Sequence, residues 1–87
     1  MTATELRNVI ADALVYASVP GFAGSRSESD FRGAIRDVHM AELQIDSLAG
    51  MELCIAIELN TGVSLAPTDI AAMPSLDALL RRLEAGQ

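Results

Sequence analysis

Eighty-seven residues make one domain, and a chain of this size buries only roughly 60–65% of its unfolded surface, so it has room for one core and none for a second lobe that closes over a deep cleft. Hydrophobic residues make up 51% of the chain, which argues against disorder, and the only aromatics are Tyr16, Phe22 and Phe31, so the core is aliphatic. A formal charge of −6, with six arginines and no lysine, excludes nucleic acid as a partner and favours a basic one.

Residues 2–18 are expected to form a first helix. Leu6, Val9, Ile10, Ala13 and Leu14 recur at three- and four-residue spacing. Thr2 or Thr4 caps its start, and Pro20 and Gly21 close it. A long connection follows over 19–46. Its first part, PGFAGSRSESD, is a loop by composition. Its second part carries Phe31, Ile35, Val38, Met40 and Leu43, enough for a short helical turn that pins the loop to the core.

A second helix is expected over 47–61, with Asp46 as N-cap and Gly62 just past its end. Pro67 opens a short helix over 67–72, where proline is tolerated in the first turn, and Pro74 ends it. Ser75 caps a last helix over 76–83 with Leu76, Leu79, Leu80 and Leu83 on one face. No segment alternates with period two, so no sheet is expected, and there are no internal repeats.

Between Leu48 and Leu59 only Glu52 and Glu58 are charged. A helix apolar on all sides is normally buried on all sides, and a chain with three main helices cannot surround one of them. Leu53 and Ile57 are therefore read as core. Leu48, Met51 and Ile55, on another stripe, are read as a docking face; the alternative is that all of them are core. Ser47 opens this helix, where free amides and the macrodipole favour a negative group such as a phosphate ester. From the tripeptide Asp46-Ser47-Leu48 alone, Ser47 reads first as a plain capping serine, since such tripeptides are common at helix starts.

The second half of the chain carries a fuller pattern. Leu43-Gln44-Ile45-Asp46-Ser47-Leu48, Met51-Glu52-Leu53, Glu58, Gly62-Val63-Ser64-Leu65 and the 76–83 helix together resemble the acyl carrier protein family, without a gap from Leu43 to Leu83. The resemblance implies an all-α fold: a small four-helix bundle with three main helices, a short third helix, and a long loop between the first and second. It implies that Ser47 carries 4′-phosphopantetheine through a phosphodiester, installed from coenzyme A by a phosphopantetheinyl transferase, and that Asp46 helps present the site to that transferase. Leu48, Met51, Glu52 and Ile55 match the surface read by partner enzymes. Such a carrier holds acyl intermediates as thioesters and delivers them to acyl-transferring or acyl-activating enzymes with basic docking patches, in fatty acid, polyketide or related specialised biosynthesis. It is not itself an enzyme. The alternatives are an aminoacyl or peptidyl carrier, and a carrier-fold interaction module that is never modified. Gln44 stands where the family usually has glycine, and Ala49 where it usually has an acidic residue; the latter points away from ordinary fatty acid synthesis.

Other chemistry has weaker support. Ser47, Asp46 and His39 are the residue types of a hydrolase triad, but adjacent Asp and Ser do not readily take the orienting and nucleophile roles together, and no Gly-x-Ser-x-Gly elbow is present. His39 reads as a solvated loop residue. Cys54, mid-helix among apolar residues, reads as a small core or groove residue. Cys54 and His39 alone make no metal set, so no metal is expected. Asp69 and Asp77 read as surface or helix-end charges, and Arg81 and Arg82 suit the end of the last helix. A lone cysteine, with neither a basic leader nor a long apolar run, leads to the expectation of a cytoplasmic monomer without a membrane partner. Met1 and the short tail lead to the expectation of a free-standing chain, a single carrier domain over 1–87.

Overall fold

The computed structural model describes residues 1–86; Gln87, the last residue of the expected domain, lies outside them. Five helices run in the order α1 (Ala3–Tyr16), α2 (Arg26–Arg32), α3 (Ser47–Thr61), α4 (Pro67–Ala72) and α5 (Leu76–Ala85), with one 3-10 turn at Met40–Glu42. There is no strand among the described residues, only an isolated antiparallel bridge between His39 and Ser75. The all-α bundle expected from the resemblance is present, with one helix more than expected.

Helix α1 starts on a reciprocal cap. The Thr2 hydroxyl accepts from the Glu5 amide at 3.1 Å, and the Glu5 carboxylate accepts from the Thr2 amide at 2.8 Å. That second bond holds the Glu5 carboxyl below its usual range. The helix stops at Tyr16, short of the expected residue 18, because Ser18 turns left-handed at φ 56°. The Val19 amide then donates to Leu14 O and the Ser18 amide to Val15 O, a Schellman closure with Val19 buried. Pro20 and Gly21 thus lie beyond the stop and do not make it.

The extra helix, α2, corrects the reading of residues 20–30 as loop. Ser25 caps it by accepting from the Glu28 amide at 3.1 Å. Arg32 joins Glu28 at 2.8 Å and Asp12 of α1 at 2.7 Å. Phe31 and Phe22 are buried and fix this segment to the core. Val38 is buried as expected of a pinning residue, whereas Ile35 is 71% exposed and pins nothing. Arg36 instead ties the connection together, pairing with Asp30 at 2.8 Å and forking onto both Glu42 oxygens at 3.0 Å. That fork, with the His39 amide, keeps the Glu42 carboxyl below the usual carboxylate range.

Helix α1 packs against α2, α3 and α5, and α4 packs on α3. Leu6, Ile10, Leu14, Leu53, Ile57, Leu76, Leu79 and Leu83 are all at most 1% exposed. Burying one such side chain contributes about 1.5–3 kcal/mol. Arg7 of α1 bridges to Asp77 of α5 at 3.1 Å, donates to Phe31 O, and lies over the Phe31 ring. At the other end of the core, Met40 N donates to Pro74 O and Leu76 N to Val38 O, which fastens the 3-10 turn beside the start of α5.

Candidate functional site

Helix α3 has the span expected from the sequence, Ser47–Thr61, and both of its ends are explained by single residues. Asp46 is the cap. Its Oδ1 accepts from the Ala49 amide at 2.8 Å, and its carbonyl receives the Gly50 amide at 2.8 Å. Gly62 closes the other end at φ 77°, a left-handed conformation that glycine adopts without strain.

Asp46, and not Ser47, supplies the side-chain cap of the first turn. Ser47 is exposed, and its hydroxyl has no hydrogen-bond partner among the described residues. The amides of Ser47 and Leu48 likewise have no acceptor among them. A phosphate ester at Ser47 would meet an unhindered oxygen, open amides and the positive end of a fifteen-residue helix. Asp46 is the N-cap, as expected from the sequence, and the alternative reading of Ser47 as the capping serine is corrected. His39, the other residue considered with them, is exposed and hydrogen-bonds to neither Ser47 nor Asp46; its amide donates to Glu42 Oε2 at 2.9 Å.

The apolar surface of α3 divides as expected. Leu53 and Ile57 are 0% exposed, while Leu48 is 65%, Met51 54% and Ile55 55% exposed. Leu59, at 82%, extends this stripe, so it runs i, i+3, i+7, i+11 over roughly 16 Å starting one residue from Ser47. The docking face expected from the sequence ends at Ile55, although the same spacing reaches Leu59. Glu52, half-buried, borders one side of the stripe, and Glu58, exposed, the other. Neither makes an ion pair among the described residues, so both remain available to a cation from outside.

Cys54 is buried, at the edge of a shallow recess it shares with Ile55 and Leu65, and burial, with some help from Asp69, pushes its thiol pKa upward. It is a packed thiol, as expected, and not an activated one. No group of three His, Cys, Asp or Glu among the described residues is arranged to hold a metal ion. No helix among them is long and apolar enough to cross a membrane.

One feature of the site has no counterpart in the sequence pattern. A recess of about 290 Å³ opens between the start of α3, α4 and the 3-10 turn. Met40, Leu43, Ile45, Pro67, Ile70 and Ala71 line it, and Asp46 and Ser47 lie on its border. Gly50 contributes to the α3 wall.

Among known proteins, the family model for the phosphopantetheine attachment site matches residues 32–83. No curated protein and no solved structure matches the chain.

Proposed function

We propose that this chain, which belongs to the phosphopantetheine-attachment-site family, carries its prosthetic group on Ser47 and serves as a carrier of acyl thioesters. The family attaches 4′-phosphopantetheine covalently. The observation that supports Ser47 is its uncommitted hydroxyl: exposed, unbonded, and freed from capping by Asp46. When bound, the arm supplies a thiol on which acyl groups are held as thioesters and brought to successive enzymes at high effective concentration.

The chain's own residues present that arm. Asp46 fixes the first turn through Oδ1 and leaves Oδ2 without a partner among the described residues, available to a cation of the transferase. Leu48, Met51 and Ile55 form the face that partner enzymes read, and Glu52 supplies charge at its border. The partners are a phosphopantetheinyl transferase and acyl-transferring or acyl-activating enzymes of fatty acid, polyketide or related specialised biosynthesis. The first turn of α3 carries no acidic side chain, and Ala49 is buried in the core, so apolar contact has a larger share in docking than in more acidic carriers. The carrier performs no catalysis of its own, and its single buried cysteine suits a reducing, cytoplasmic setting.

The test is intact mass after incubation with coenzyme A and a broad-specificity phosphopantetheinyl transferase. One added phosphopantetheinyl group, absent in Ser47→Ala, is expected. No addition under conditions that modify a control carrier would sink the proposal.

A further inference from the structure

Arg36 commits all of its guanidinium nitrogens. Nε donates to Asp30 Oδ2 at 2.8 Å. Nη1 donates to Glu42 Oε2 at 3.0 Å and to the Asp37 carbonyl at 3.2 Å, and Nη2 to Glu42 Oε1 at 3.0 Å and Ser27 Oγ at 3.3 Å. An isolated surface ion pair contributes little, but a bidentate fork shared with a second carboxylate fixes geometry. Ser27 and Asp30 belong to α2, and Glu42 to the 3-10 turn. The guanidinium therefore joins these two elements across a stretch with little core of its own: from Gly33 to Ile45 only Val38 is buried.

The held turn leads directly to Ser47. Glu42 N donates to His39 O and Leu43 N to Met40 O, so the turn closes on itself, and Met40 N donates to Pro74 O. Beyond it, the Gln44 and Ile45 amides donate to nothing among the described residues. The next fixed point is Asp46, the cap of α3. The approach to Ser47 is thus held at one end by that cap and at the other by a turn that Arg36 and Pro74 fasten.

Resting on the reading of Ser47 above, we infer that Arg36 is a positioning residue for loading: its clasp on Glu42 holds the 3-10 turn to α2 and so presents Asp46 and Ser47 to the transferase along one fixed approach. The transferase must close on the exposed hydroxyl and on the chain that flanks it. With the clasp open, the turn and the unbonded residues behind it sample other positions, and only part of the population offers the docking conformation. Apparent affinity falls in proportion to that part. The reaction at the hydroxyl, once docked, is untouched. Arg32 supplies a comparison within the same fold. It makes a similar cluster with Glu28 and Asp12, but that cluster joins α2 to α1 and does not include the turn.

The experiment uses the whole chain as wild type, Arg36→Gln and Arg32→Gln, each checked for folding by circular dichroism. Amide hydrogen exchange on the unmodified protein reads the turn. Steady-state loading from coenzyme A by a broad-specificity phosphopantetheinyl transferase reads presentation. Arg36→Gln is expected to speed exchange at Met40, Glu42 and Leu43 by about tenfold more than at Leu53 and Ile57. It is also expected to raise KM for the carrier about threefold or more at unchanged kcat, as a competent population cut to about a third requires. Arg32→Gln is expected to do neither. Arg36→Lys keeps the charge but cannot fork onto Glu42; it is expected to shift both readings in the same direction, and it carries the test if Arg36→Gln does not fold. A turn that exchanges no faster overturns the inference, as does an unchanged KM with a faster-exchanging turn. A KM raised equally by Arg32→Gln also overturns it, because general loosening and not the clasp is then the cause. A wild type that never loads overturns the reading of Ser47 and this inference with it.

Discussion

Ser47 and Asp46 are adjacent, yet they are predicted to respond to mutation in opposite ways. Asp46 Oδ1 accepts the Ala49 amide at 2.8 Å, so Asp46→Ala orphans a first-turn donor of the longest helix in the fold. Loss of such a cap costs about 1 kcal/mol. For a domain of this size, 1 kcal/mol lowers Tm by about 4–8 °C. Ser47→Ala removes an exposed hydroxyl that bonds to nothing among the described residues, so its stability change stays within about 0.5 kcal/mol, under about 4 °C in Tm. Asp46→Asn keeps a cap of nearly equal quality and is expected to recover most of the loss seen in Asp46→Ala. Thermal unfolding followed by circular dichroism in the helix band, on the unmodified protein at one concentration, reads all three. Loading is expected to vanish in Ser47→Ala and to weaken in both Asp46 variants, the asparagine included, because the charge is lost. If Ser47→Ala melts as low as Asp46→Ala, the serine serves the cap and the separation of roles is wrong.

Other consequences are equally direct. Gly50→Ala is expected to stabilise the protein by about 0.5–1 kcal/mol, since its Cβ meets only ordinary contacts; a lower midpoint in urea would mean that glycine is required for packing. Leu53→Ala and Ile57→Ala, at 0% exposure, should each cost about 2–5 kcal/mol, whereas Ile55→Ala should stay within about 0.5 kcal/mol while slowing acyl transfer to a partner enzyme. A stability loss in Ile55→Ala as large as in Ile57→Ala would assign that face to the core. Cys54, buried and with its pKa raised, should resist iodoacetamide at mildly alkaline pH while the arm thiol of the loaded protein reacts; rapid labelling of the unmodified chain would contradict its placement.

How much of the fold is legible in the sequence follows from where the signals lie. Helix α3 is readable at both ends because Asp46 and Gly62 each have one strong local role, and α4 because Pro67 and Pro74 bracket it. The leucines of α5 carry an unambiguous stripe, and all four are buried, though the helix runs on to Ala85. Helix α2 escapes a reading by composition because SRSESD is polar and short, and its stability comes from Phe31 and Arg32 reaching other parts of the fold. Its signature is nonetheless present: Ser25 and Glu28 have the spacing of a capping pair, although Glu28 accepts from Gly24 and not from Ser25. Ile35 misleads because a scattered apolar residue in a connection carries no periodicity to say which way it faces. The site residues of α3 are legible from their spacing and the resemblance. The recess is not, since Met40, Gly50 and Ile70 come from three separate segments that only the tertiary fold brings together.

Peptide-level localisation decides whether Ser47 bears the arm. Arginine-specific cleavage leaves Ser47 in the peptide of residues 37–81, together with other hydroxyl residues such as Thr61, Ser64, Thr68 and Ser75. Fragmentation of that peptide from the loaded protein is predicted to locate the phosphopantetheinyl group on Ser47. Its location on any other hydroxyl, or its persistence in Ser47→Ala, would contradict the claim.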